Sequence, residues 1–320
     1  MLLTPTQARA LYEHAVENRY AILAVNADSP AAMTDCLLAA RECDAPIIIE
    51  TSLWQLTGHS FGVGDPFLGM DRYLAELRVL ANSERFERVP VVYHTDHIKG
   101  PDTFAILAQA MERSASSISL DSSEMDTAQN IEMVSQLCEF STRNHLPATL
   151  EMEAGVDDGV TGLEETRTLF GEVESRYPGF LALWAPGVGT QHGLGVDLGG
   201  FSPEAVRRHQ ELASGLAGRA IGIALHGSSG LTDEQLAAGV EAGVAKVNWS
   251  SESLLVRSSA ARKYYVDAGD RLEKGHPDWK ETAMDNGVQA AVSSAYCPRV
   301  ENRIRVLGGA GQGSRFCKGL

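Results

Sequence analysis

Eight short runs of apolar, largely β-branched residues recur along the chain, and almost every one is followed by a stretch of helical periodicity. They are YAILAVN (20–26), PIIIETS (46–52), VPVVYHTD (89–96), SISLDSS (117–123), ATLEMEAG (148–155), FLALWAPG (180–187), AIGIALHG (220–227) and VAKVNWSS (244–251). Strands separated by helices cannot pair as hairpins, so the crossovers make them parallel and the helices cover the outside of the sheet. Eight such units predict an α/β protein of the (β/α)8 TIM-barrel type, with a helical extension after the last strand. An open doubly wound sheet is the competing arrangement, but no GxGxxG follows the first run. We therefore expect residues 1–320 to form a single barrel domain. Two segments stand outside the repeat: residues 156–178, glycine- and acid-rich and expected to be a mobile loop, and residues 309–320, expected to be a flexible tail.

A barrel must fill a large interior, and a 320-residue chain that is 44% hydrophobic can do so. The formal net charge of -15 argues against a general affinity for nucleic acid or anionic membranes. A phosphorylated ligand stays compatible with that charge if a metal ion and backbone amides supply the local field. The cysteines (Cys36, Cys43, Cys138, Cys297, Cys317) are scattered, odd in number and without a CxxC pair, which points away from a disulfide framework or a zinc ribbon. The N-terminal stretch MLLTPTQARALYEHAVENRY has charge and helical periodicity where a leader would have a basic start and an apolar run. No run approaches the ~20 apolar residues that cross a bilayer. Together these features predict a soluble, cytoplasmic protein.

In a barrel the C-terminal strand ends converge on one mouth, so groups at those ends can be collected as a single candidate site. The ends contribute Asn26, Ser52, Asp96 with His97, Asp121 with Ser123, Glu153, His192 with Gly193, His226 with Gly227 and Ser229, and Asn248 with Ser250 and Ser251. His97, His192 and His226 make a plausible open zinc site, since three neutral imidazoles leave a fourth position for substrate. His94 shares a strand face with Asp96 and not with His97, so it reads as a supporting residue. His14, His59, His145, His209 and His276 fall in helices or loops and read as solvated or structural. Asp96 beside a ligand can shuttle a proton or orient a histidine. Asp121 and Glu153 can hold an alternate or second metal position or hydrogen-bond across the mouth. The amides of Gly193 and Gly227, with the hydroxyls of Ser229, Ser250 and Ser251, can surround an anion without a basic side chain.

PVVYHTDH, the EMEAG strand, GTQHG, ALHGSSGL and AKVNWSSE, in this order, resemble the class II (metal-dependent) ketose-bisphosphate aldolases, and the resemblance runs from about residue 20 to ENRIRVLGGAG. It implies a (β/α)8 barrel that binds zinc or a similar divalent ion and makes or breaks a carbon–carbon bond with dihydroxyacetone phosphate as one partner. A monovalent cation beside the phosphate and a homodimer or homotetramer are the further associations expected. The resemblance places the metal on His97, His192 and His226, with Asp121 and Glu153 as alternate positions, and the proton-transferring carboxylate on Asp96. Phosphate contacts fall on Gly193, Gly227, Ser229, Ser250 and Ser251, with Ser52 as a further substrate contact and Asn248 on the bound ketone. A second base is implied on the loop after the fifth strand, where VDDGVTGLEE offers Asp157, Asp158, Glu164 and Glu165. The chain departs from the family pattern at HGSSG and at NWSS, where Trp249 and Ser250 stand by the phosphate and the ketose. Fructose 1,6-bisphosphate is the family's default substrate, but no arginine for its far phosphate can be placed. The competing functions are a barrel zinc hydrolase, in which the same imidazoles activate water, and a non-catalytic aldolase-like subunit.

Overall fold

The computed structural model describes residues 1–155, 159–193 and 200–320. The chain runs α1 (Pro5–Glu17), β1 (Ile22–Asn26), α2 (Pro30–Glu42), β2 (Ile47–Thr51), α3 (Leu53–Thr57), α4 (Pro66–Ala81), β3 (Val91–Thr95), α5 (Thr103–Glu112), α6 (Thr127–Arg143), β4 (Leu150–Glu153) and α7 (Leu163–Arg176). It continues with β5 (Leu181–Ala185), α8 (Pro203–Ala217), β6 (Gly222–Leu225), α9 (Asp233–Ala242), β7 (Val244–Trp249), α10 (Ser251–Asp267), α11 (Trp279–Ala283), α12 (Asp285–Val306) and α13 (Gln312–Cys317). Among the described residues the seven strands are all parallel and form one curled, open sheet in the order β3-β2-β1-β7-β6-β5-β4.

Every strand residue is buried, so both faces of the sheet are covered, and the period of two divides them. Leu23, Val25, Ile47, Ile49, Val91, Tyr93, Ile223 and Val247 pack with the surrounding helices. Ile22, Ala24, Ile48, Val92 and Ala224 face inward, where they meet Ala8, Leu11, Tyr12 and Ala15 of α1. This helix therefore plugs the end of the sheet at which the strands begin. Its start is fixed locally: Thr4 and Gln7 form a reciprocal capping box and Pro5 sits in the first turn, where its missing N–H costs nothing. With one end filled by apolar side chains, the polar inward positions are left for the other end.

The run expected as a fourth strand, residues 117–123, does not form one. Its place along β3 is shared: Leu2 bridges the start of the strand at Val91 and Ser117 bridges it at His94. Ile118 in turn bridges Leu150 of β4, and Glu151 donates its amide to the Ile118 carbonyl at 2.9 Å. Backbone bonds tie residues 117–119 to both neighbours, with the Ser117 amide on the Tyr93 carbonyl at 3.1 Å and the Ile118 amide on the Thr149 carbonyl at 3.0 Å, and serine and threonine hydroxyls add to them. Ser119 Oγ donates to the Thr95 carbonyl at 3.0 Å, Thr95 Oγ1 donates to the Ser119 carbonyl at 3.1 Å, and Ser116 Oγ donates to the Leu3 carbonyl at 2.6 Å.

Two further expectations are corrected. Residues 163–176 of the supposed mobile loop 156–178 form α7, whose Leu169, Phe170 and Val173 are buried in the core. The supposed flexible tail 309–320 is anchored by α13: the Gly313 amide donates to the Asp44 carbonyl at 2.7 Å, and Phe316 packs beside His14 with α1. The helical extension itself is present, with α12 packed against α10 and α2.

Candidate functional site

At the C-terminal ends of the strands opens a cavity of about 890 Å³, lined among others by Ser52, Asp96, His97, Asp121, His192, Gly193, Gly227, Ser229, Asn248, Ser250 and Ser251. One ligand nitrogen from each of His97, His192 and His226 lies within 4.8 Å of the others. A second grouping on the same scale joins Asp96, His97, Glu153 and His226. Three imidazoles with adjoining carboxylates form a donor set that suits a divalent ion of zinc's type. The rings meet edge to face, with centroids 4.9 Å apart for His97 and His226 and 5.2 Å apart for His97 and His192.

Local backbone choices bring these rings together. His97 follows the last inward residue of its strand with φ +49, a left-handed conformation that a side chain rarely adopts. The turn carries the imidazole back over the mouth. There Nε2 lies 3.7 Å from Asp96 Oδ1 and Nδ1 lies 3.7 Å from Asp121 Oδ2. His192 and His226 approach because Gly227 has no side chain, since a Cβ there would sit 2.7 Å from the Gln191 carbonyl oxygen. Gly227 and Gly193 also have positive φ values of +63 and +101.

Asp96 is buried and held on both oxygens, Oδ1 receiving Nδ2 of Asn248 and Oδ2 receiving Nδ2 of Asn26, each at 3.0 Å. Burial by itself would raise its pKa. His97, Lys246, His226 and the Asn26 bond outweigh burial and hold it down at about 2. Glu153 has the opposite outcome: burial dominates and pushes it up to about 7, while Ser119 Oγ lies 3.2 Å from its Oε1. Burial opposes charge on His97, yet Asp96, Asp121 and Glu153 raise its pKa overall. Asp121 takes the Ser123 amide at 2.9 Å and the Lys99 ammonium at 3.2 Å, and it stays well below the usual carboxylate range despite burial.

The hydroxyls differ in how far they are committed. Ser52 Oγ donates to Gln55 Oε1 at 2.8 Å in the cap of α3, and Ser229 Oγ accepts the Glu252 amide at 3.3 Å. Ser250 precedes α10 without capping it, and it lines the cavity wall with Ser251 at the start of this helix. Asp157 and Asp158 lie outside the described residues. Glu164 is exposed and 3.4 Å from Arg167, and Glu165 Oε2 accepts the Gly162 amide at 2.9 Å at the start of α7.

Beneath the imidazoles lies a layer of which the sequence reading found only His94, as a supporting residue. Glu151 Oε1 accepts from His226 Nε2 at 2.8 Å, which leaves Nδ1 of that ring as the nitrogen able to take an ion. Oε2 of the same carboxylate is 2.9 Å from Lys246 Nζ, and Lys246 reaches Glu50 Oε2 at 3.3 Å. His94, whose Nδ1 contacts Ser117 Oγ at 2.7 Å, brings its Nε2 to 3.6 Å from Glu151. All four side chains are fully buried. Parity along the strands carried the signal: Glu151 shares its face with Glu153, Lys246 with Asn248, and Glu50 with Ser52.

With this geometry in place, the likeness to known proteins is informative. Residues 6–312 match the model of the family described as fructose-bisphosphate aldolase class-II. The chain is 26% identical over 318 residues to a fructose-bisphosphate aldolase of Streptococcus pneumoniae, covering 95% of this chain and 98% of the relative. It is 25% identical over 311 residues to a 6-phospho-5-dehydro-2-deoxy-D-gluconate aldolase of Bacillus licheniformis, covering 95% of each. Its fold superposes on the crystal structure of a fructose-bisphosphate aldolase from Campylobacter jejuni with a TM-score of 0.82 at 20% identity, over 97% of this chain and 96% of the other.

Proposed function

The chain belongs to the class II fructose-bisphosphate aldolase family, and from that premise we propose that it makes or breaks the bond between dihydroxyacetone phosphate and an aldehyde, as a fructose-1,6-bisphosphate aldolase does. It is a class II aldolase, a lyase acting on phosphorylated sugars. The observation that carries the finer reading is the convergence of His97, His192 and His226 beside a buried, ionised Asp96, at a cavity that Asp96, His97 and His192 line. We assign the divalent ion, zinc in the first instance, to these three imidazoles. Once bound, the ion supplies Lewis acidity toward the substrate's ketone carbonyl.

The chain's own residues do the rest. Asn26 and Asn248 fix both oxygens of Asp96, so in cleavage the carboxylate meets the aldehyde-side hydroxyl in a set orientation, takes its proton and returns it in synthesis. The amides of Gly193 and Gly227, the first turn of α10 and the hydroxyls of Ser229, Ser250 and Ser251 form the cradle we assign to the phosphate, with a monovalent cation beside it. Ser52 and Asn248 are assigned to the ketose body. The second base is assigned to the segment after β4, to one of Asp157, Asp158, Glu164 and Glu165. Asp121, on the Nδ1 side of His97, and Glu153 are assigned as alternate ligands. We also read residues 117–119 as the eighth stave of a closed (β/α)8 barrel, a reading supported by their hydrogen bonds to both β3 and β4. No helix among the described residues is long and apolar enough to cross a membrane. A homodimer or homotetramer in the cytoplasm completes the proposal.

The relatives carry two different substrate names, so the aldehyde is left to experiment. Metal-loaded protein incubated with dihydroxyacetone phosphate in deuterium oxide should exchange a proton at the hydroxymethyl carbon, followed by nuclear magnetic resonance. Hydrolysis of an ester or amide without exchange would overturn the reading in favour of a hydrolase.

A further inference from the structure

We infer that Lys246 is a positioning residue for the metal centre: its ammonium holds Glu151 in the orientation that aims the carboxylate at His226. This rests on the assignment of His226 as a ligand. Lys246 stands on β7, and the neighbouring strands offer only Ile22 and Ala224 in register with it. Its side chain instead crosses the interior to Glu151 on β4 and Glu50 on β2, and none of the three is exposed. Glu151 divides its oxygens between two partners, Oε1 to His226 at 2.8 Å and Oε2 to Lys246 at 2.9 Å.

A buried ion pair of this kind is poor at adding stability, because desolvating both charges offsets their attraction, and apolar side chains of the same volume often do as well. What the pair does supply is direction. Glu151 has a second imidazole within reach, His94 Nε2 at 3.6 Å from Oε2. With the ammonium gone, nothing fixes Oε2, and the carboxylate can turn toward His94 and withdraw from His226. An imidazole ligand whose far nitrogen loses its carboxylate binds metal less well, typically by ~10–100-fold. Glu50 sits on the other side of Lys246 and makes no contact with His226.

The test is a double-mutant cycle read as zinc affinity of the metal-free protein, by competition against a chromophoric chelator. Lys246→Met and Glu151→Gln should each weaken zinc binding by roughly 10-fold or more, and the double variant should bind no more weakly than Glu151→Gln alone. Glu50→Gln should bind zinc like the parent. Parent protein that takes up no zinc would sink both this inference and the metal assignment beneath it. Zinc binding by Lys246→Met equal to the parent's, or losses that add in the double variant, would overturn the inference alone. Should Lys246→Met not fold, the comparison of the double variant, which lacks both charges, with Glu151→Gln decides. A double variant that also fails to fold would make Lys246 a stability residue and end the proposal.

Discussion

Asp96 keeps its charge inside the protein because every direction from which it could be neutralised is filled. Two amides donate to its oxygens, His97 lies at 3.7 Å, and the carboxylate is only 2% exposed. In the proposed mechanism a base fixed in this way transfers the proton without serving as an obligatory ligand, which separates its assigned role from that of the histidines. Asp96→Ala should therefore retain the metal and lose turnover by ~10²–10⁴-fold, whereas His226→Ala should lose both. Metal content by atomic emission, measured beside the rate of aldol cleavage, distinguishes the two, and loss of metal from the Asp96 variant would overturn this division. The first set of residues was legible because histidine and aspartate at strand ends stand out against apolar strands. Glu151 and Lys246 were not, because a charged residue inside a strand reads as solvent-facing unless the sheet is covered on both sides. Their parity with Glu153 and Asn248 hints at the shared face, and the structure shows that face to be buried.

At the scale of elements, the site depends on two loops touching. Gly227 follows β6 and packs on the backbone of Gln191, the residue before His192, so the imidazoles from two strand ends reach the same point. Gly227→Ala should cost about 1–2 kcal/mol for the left-handed conformation alone. The clash with Gln191 adds to this and spreads the loops, so zinc affinity should fall as well as the melting temperature. A variant that loses stability but binds zinc as tightly as the parent would show that the loop contact does not set the ligand geometry. Most of the elements were readable from periodicity, since seven of the eight β-rich runs are strands. The fourth run pairs with its neighbours only over residues 117–119, because Leu2 takes the start of the β3 edge, a long-range contact that no local pattern encodes. Residues 163–176 failed for a related reason. Their charged positions concealed a single apolar stripe of Leu169, Phe170 and Val173 that becomes visible only once the core accepts it.

Across the whole molecule, the apolar end of the interior is filled by α1, and the polar end concentrates Glu50, His94, Asp96, Glu151, Glu153 and Lys246 in a volume without water-like screening. Such a cluster opposes stability, and the opposition depends on pH. Burial first, and then the charge of Asp96, pushes the Glu50 carboxyl from its ordinary 4.5 up to about 8, against the pull of Lys246. Between those values the folded chain binds a proton at Glu50 that the unfolded chain has released. The contribution of this residue to stability is therefore fully present below pH 4.5 and is lost as the pH rises through 8, at a slope approaching about 1.4 kcal/mol per pH unit. Glu50→Gln removes the titration while keeping the shape, so its melting temperature should match the parent's near pH 4.5 and exceed it progressively toward pH 8. Thermal melts of the metal-free protein in matched buffers measure the difference directly. A gap that stays constant with pH would mean that Lys246 keeps Glu50 ionised throughout, and the interior would then hold one more charge than its geometry accommodates.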